Sequence, residues 1–222
     1  MAQQERALRT RGALIESAAE MFDQHGFTLS SLSAISSRAE VSNGTLHFHF
    51  ASKAALAEAV GAAAAQRLDR ITGKSAGHTR GGALQLLIDA THTLVRELGH
   101  DAVLRAGFDP RRSLRLSGAS ADPRRMWKAW VRGSLVRAGR EGAMARGVPA
   151  DTVAATVVAA TLGFGLLHGR KTPHADPLAT VTQFWVLLLP RLAVDTVLDD
   201  LVASGTRAEV HGPSAPGRGG SE

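Results

Sequence analysis

In SNGTLHFHFASKAAL, residues 42–56, His47 and His49 alternate with Phe48 and Phe50 and a lysine, Lys53, follows. Three chemistries suit such a pair: a metal site, a base, or a surface that meets a polyanion. Residues two apart on a helix point about 200° away from each other, whereas metal-ligand pairs need a spacing of three or four. No carboxylate sits nearby at ligand spacing, and with no cysteine in the chain thiolate zinc sites, thiolate catalysis and disulfides are excluded. No cofactor and no metal are expected. Enzyme motifs are missing as well: there is no G-x-S-x-G, no Walker loop, no H-E-x-x-H, and TRGGAL lacks the spacing and the preceding strand of a phosphate loop. A second group of candidates lies further on. Trp127 and Trp130 are three apart and can share one helix face, a flat apolar wall for a ring-containing ligand or simply core. Phe164 and His168, four apart, are further candidates for such a pocket or for a subunit interface, and Trp185 reads as core or interface.

Charge favours an acidic partner without saying where it docks. The 222-residue chain carries a formal net charge of +6, yet the five bases and five acids of residues 1–53 cancel. The surplus lies in residues 105–146, with eleven bases against three acids. Spaced arginines of this kind also make ordinary solvated helix faces. No run approaches the ~18 apolar residues of a membrane helix. The charged opening MAQQERALRTR has no apolar stretch of a secretory signal, so a cytoplasmic protein with no membrane partner is expected.

The elements that position these residues are helices. Apolar periodicity predicts helices over about 6–26, from 31, from 42, over 53–71, 81–99, 101–107, 124–142, 149–169 and 176–202. Ser31, Ser42 and Ser52 stand where N-caps belong. The last two long segments are apolar around most of their circumference, which favours a subunit interface, and Pro190 should kink or split the final one. Loops are expected at 73–80 and 109–123. The composition after Ala203 cannot bury a core, so residues 203–222 read as a disordered tail. No strand pattern or repeat stands out. The fold class is all-α: an N-terminal three-helix helix-turn-helix domain (1–52) and a C-terminal helical domain (53–202) for ligand binding and dimerisation.

Residues 31–48 read as helix, short turn, helix, the unit whose second helix enters the DNA major groove. Leu46 is its inward anchor, leaving Ser42, Asn43, Thr45 and His47 to face outward. The wider stretch GFTLSSLSAISSRAEVSNGTLHFHFASKAALAEAV, residues 26–60, resembles the DNA-binding domain of the TetR family of bacterial regulators. Phe27, Ser30, Ser31, Ile35, Ala39, Val41, Ser42, Gly44, Leu46, Phe50 and Lys53 fall in register with the family pattern. Within it, FHFASK and QQERALRTR look most like the γ-butyrolactone receptor branch of actinobacteria, which includes pseudo-receptors that respond to antibiotics. C-terminal likeness rests on PRRMWKAW, where Trp127 falls on the branch's pocket tryptophan, and on TQFWVLLL.

The resemblance implies a homodimeric repressor that binds a pseudo-palindromic operator in double-stranded DNA and is released by a small apolar effector, controlling antibiotic biosynthesis genes. A repressor of an efflux or catabolic gene, or a ligand-binding protein with a degenerate DNA domain, are the alternatives. It also implies DNA contacts at Arg9, Thr10, Ser30, Ser31, Ser42, Asn43, Thr45, His47 and Lys53, and a pocket around Trp127. Three positions depart from the pattern. Glu40 stands for the turn glycine, Asn43 for the lysine that opens the recognition helix, and His47 for a phosphate-contacting tyrosine. His49 matches a position that packs within the domain.

Overall fold

The computed structural model describes residues 2–74, 81–109, 122–168 and 176–206, with the side chains of 2, 74 and 166–168 excepted. Among these there are ten helices and no strand. They are α1 (Ala2–Leu29), α2 (Leu32–Arg38), α3 (Asn43–His49), α4 (Lys53–Lys74), α5 (Gly82–His100), α6 (Ala102–Phe108), α7 (Pro123–Arg140), α8 (Ala150–His168), α9 (Pro177–Leu192) and α10 (Asp195–Leu198). No helix among the described residues is long and apolar enough to cross a membrane.

Local chemistry starts most of them. Ser31, Ser42 and Ser52 each accept a hydrogen bond from the amide three residues on, satisfying one donor the first helical turn leaves unpaired. Asp122 and Asp176 cap α7 and α9 by accepting from the amide two residues on, each followed by a proline at the first helical position, where the missing N–H costs nothing. At the far end of α1, Gly26 takes φ 77° and breaks the helical path, so residues 27–29 turn away toward α2. The segment expected over 176–202, with a kink or split at Pro190, is two helices: α9 runs through Pro190 to Leu192, and α10 starts after Val194. That break is held by two backbone bonds to the segment before α8, Ala145 N–H to Leu192 O at 2.9 Å and Val194 N–H to Ala143 O at 3.0 Å.

Two cores form. The first joins Leu14, Ala18 and Phe22 of α1, Ile35 of α2, Leu46 of α3, Phe50, and Leu56, Val60 and Ala64 of α4. Val103 and Ala106 of α6 complete it. The second gathers α5, which is buried around most of its circumference, with Leu68 and Ile71 of α4 and the inner faces of α7, α8 and α9. α4 and α6 thus contribute to both cores. At this junction α6 lies close on α4: a Cβ added to Gly107 would sit 2.3 Å from Ala64 Cβ. Two arginines tie the same corner together. Arg67 of α4 bonds both Glu16 of α1 and Asp101, the cap of α6. Arg105 of α6 donates to Asp23 of α1 at 2.8 Å and to the Leu98 carbonyl of α5 at 2.9 Å.

Residues 202–206 run back over α5. Gln85 bonds the backbone of Val202 twice, His92 Nε2 lies 2.9 Å from the Ala203 carbonyl, and Asp89 accepts from the Thr206 amide at 2.7 Å and from its hydroxyl. Residues 203–206, expected to open a disordered tail, are thus clasped by side chains spaced four and three apart on one face of α5. Composition shows no sign of this, because the backbone of the segment supplies the bonds. The rest of the expected tail, 207–222, lies outside the described residues, as do residues 75–80 of the expected loop at 73–80 and most of that at 109–123, while α4 runs on through residue 74.

Candidate nucleic-acid interface

The reading head is α2, its turn and α3. α2 ends in a Schellman arrangement, with Val41 N–H on Ser36 O at 3.0 Å and Glu40 N–H on Ser37 O at 3.1 Å. That closure needs a left-handed residue, and Glu40 supplies it at φ 56°, the one non-glycine residue with positive φ among those described. A side chain in that conformation costs roughly 1–2 kcal/mol. Ser42 then caps α3, and its Oγ lies 2.9 Å from Thr45 Oγ1, so the two hydroxyls order each other. Leu46 is fully buried and anchors the helix. Ser42, Asn43 and His47 are exposed and Thr45 half-exposed.

Sequence reasoning missed two residues of this surface. Phe48 is 83% exposed, an apolar ring standing beside His47, and such a ring can touch a thymine methyl. Helical periodicity assigns aromatics inward, so no pattern flags it. Ser36, buried on α2, places its Oγ 2.5 Å from Asn43 Oδ1. The signal for it is tertiary, seven residues away across the turn.

The remaining expected contacts lie on α1, around the start of α2 and at Lys53 of α4. Ser31 is exposed and caps α2, with Ser33 Oγ 3.1 Å from its hydroxyl. Arg9 is exposed and donates to Glu5 at 3.2 Å, one turn back, while Thr10 on the same helix is half-buried. Lys53 donates to the Thr28 carbonyl at 3.1 Å, and its ammonium sits 4.6 Å from the centre of the Phe27 ring. Partial burial lowers its pKa from the ordinary lysine value. The charge is fixed in place beside the loop that leads into α2, with N–H capacity left for a phosphate. Ser30 is a correction. It is 1% exposed and its hydroxyl faces the Gly26 and Met21 carbonyls at 2.8 and 3.0 Å, where it braces the bend after α1 and cannot reach DNA. His49 is half-buried, with the rings of its neighbours Phe48 and Phe50 at 5.2 and 6.5 Å.

The second candidate region lies in the larger core. Trp127 of α7 is fully buried and stacks on Trp130, with centroids 5.3 Å apart and planes 13° apart. On α8, Phe164 meets Phe184 of α9 edge-on at 5.9 Å, and Phe184 in turn meets Trp185 at 5.3 Å. The indole N–H groups of Trp127 and Trp185 are buried with no acceptor among the described residues. The His168 side chain lies outside the described residues. The basic run of 105–146 is not one free face: Arg105 pairs with Asp23, Arg125 with Asp122, and Arg132 with Asp151.

Known proteins share both halves of this arrangement. The profile described as "Bacterial regulatory proteins, tetR family" matches residues 14–60. Full-length TylP, a TetR regulator from Streptomyces fradiae, is 30% identical, with 90% of this chain and 86% of that one covered at a TM-score of 0.64. The chain belongs to the TetR family. This TetR-family chain is also 29% identical over 208 residues to the A-factor receptor protein of Streptomyces griseus, covering 92% of itself and 71% of that protein. CprB from Streptomyces coelicolor, solved in complex with its biological operator sequence, matches at 28% identity and a TM-score of 0.71, over 86% of this chain and 92% of that one. Solved structures of γ-butyrolactone receptors are similar as well, at 25% and 26% identity and TM-scores of 0.71 and 0.73.

Proposed function

We propose that the protein is a ligand-responsive repressor of antibiotic biosynthesis genes, binding a pseudo-palindromic operator as a homodimer in the cytoplasm. One observation carries this reading: a short helix, capped by Ser42 and anchored by Leu46, turns Asn43, His47 and Phe48 outward ahead of the fixed ammonium of Lys53. The groups expected at the DNA are Arg9, Thr10, Ser31, Ser42, Asn43, Thr45, His47 and Lys53. They are hydroxyls, amides and a few cations, not a dense basic face, so base edges and helix N-termini carry more of the affinity than counterion release does.

Dimerisation uses α8 and α9. Leu187 is 78% exposed on α9, with Val186 beside it, and Ala155 and Ala159 are exposed on α8. An apolar strip of this kind is what a second copy covers. The effector, a γ-butyrolactone or an antibiotic of similar size, lies against Trp127, Trp130 and Phe164, and a carbonyl on it satisfies a buried indole N–H. Binding releases DNA only through the effector's preference for one dimer geometry over the other. α4 spans both cores, and the Arg67 and Arg105 bridges lock α6 to α1, so a shift of α6 moves the reading head. A mobility shift on the protein's own promoter tests the reading, with butyrolactones and antibiotics titrated into the preformed complex. A specific complex dissolved by one of them supports it, and no specific complex at all overturns it.

A further inference from the structure

The recognition helix begins with Asn43, and that asparagine is not free to present both ends of its amide. Its Oδ1 lies 2.5 Å from Ser36 Oγ, and Ser36 is 2% exposed on the inner side of α2. A serine hydroxyl carries one proton. Two oxygens lie within its reach, Asn43 Oδ1 at 2.5 Å and the Ser33 carbonyl at 3.0 Å, and the nearer takes it. With Oδ1 turned toward α2 and accepting, Asn43 shows its NH2 group to the outside.

That orientation changes what the residue can read. An asparagine with both ends free pairs with adenine, accepting from N6 and donating to N7. An asparagine whose oxygen is turned away toward a buried hydroxyl leads with its NH2 donors, as a lysine would, and donors match the O6 and N7 acceptors of guanine. The geometry points to Ser36 as a positioning residue that makes Asn43 a reader leading with its donors, so the base contacted by the start of α3 in each half-site is guanine rather than adenine. A neutral amide of fixed orientation thereby replaces the lysine of the family pattern without changing the hydrogen-bond code it presents.

The inference rests on the operator-binding reading, and the experiment separates the two. Affinities are measured for wild type, Asn43→Ala, Ser36→Ala and Asn43→Lys on operator fragments carrying each base pair in turn at every half-site position. The position whose preference disappears in Asn43→Ala is the one Asn43 reads. Wild type is expected to favour guanine there by about tenfold, and Asn43→Lys to keep that preference. Ser36→Ala frees the amide oxygen and moves the preference to adenine, with affinity for the best sequence changed only a few-fold. An adenine preference in wild type, an unchanged preference in Ser36→Ala, or no preference lost in Asn43→Ala overturns the inference and leaves the repressor standing. If Ser36→Ala does not fold, Asn43→Lys decides: guanine kept supports the inference, guanine lost overturns it. Failure of wild type to form a specific complex on any fragment overturns the repressor reading and this inference with it.

Discussion

At Glu40 the backbone adopts φ 56° so that α2 can end in its Schellman closure and α3 can start three residues later. Glycine takes that conformation freely, at the price of a more disordered unfolded chain. Relief of strain outweighs that loss, so Glu40→Gly is expected to stabilise the protein by about 1 kcal/mol, raising the midpoint of thermal unfolding followed by circular dichroism by about 2–4 °C. His47 stands exposed where the family pattern has a phosphate-contacting tyrosine. Its ring N–H can donate to a phosphate oxygen, so His47→Ala should weaken operator binding a few-fold on every sequence alike. Unchanged affinity in a mobility shift would remove His47 from the backbone contacts. Residue-level chemistry was partly legible in the sequence. Glu40's left-handed conformation and the three serine caps follow from local rules. The burial of Ser30, the tether of Lys53 to Thr28 and the Ser36–Asn43 pair do not, because each is made with a partner brought up by the fold.

Between elements, the α4–α6 crossing is the tightest point. Gly107 faces Ala64 with no room for a methyl group, and neither side has a flexible end that can move aside. Gly107→Ala should cost about 1–3 kcal/mol by urea unfolding, and should alter effector release of DNA more than DNA binding itself. The clasp on α5 predicts a pH dependence. Burial lowers the His92 pKa below its ordinary value, opposed by the Ala203 carbonyl and by Asp89 and reinforced by Arg96. The unfolded chain therefore takes up a proton before the folded one does, and stability falls as pH drops below about 6.5 toward the lowered value. Unfolding midpoints at pH 7 and pH 5 should differ less for His92→Gln than for wild type. Helix positions were legible because caps, prolines and apolar spacing act over a few residues. Their ends were less so: Pro190 marked the break in the last helix, but its place at Leu192 is set by pairing with residues 143–145.

For the whole molecule, the exposed strip on α8 and α9 makes assembly the decisive property. Leu187→Glu puts a charge on the exposed apolar side of α9 and should give a folded monomer by sedimentation, with operator affinity reduced at least tenfold because one half-site is lost. The apolar circumference of these helices was visible in the sequence, but which side stays uncovered emerges only once α5 and α7 have taken the others.

The aromatic residues are distributed unevenly between the two cores. The chain has three tryptophans and no tyrosine, and Trp127, Trp130 and Trp185 all belong to the larger core. Intrinsic fluorescence therefore sees the effector half alone, while the DNA-reading half is optically silent at those wavelengths. Added operator changes that emission only by altering the structure around the distant indoles, and an effector stacked on Trp127 changes it directly. One cuvette thus gives a built-in reporter of communication between the two ends of the molecule, with no label attached to either.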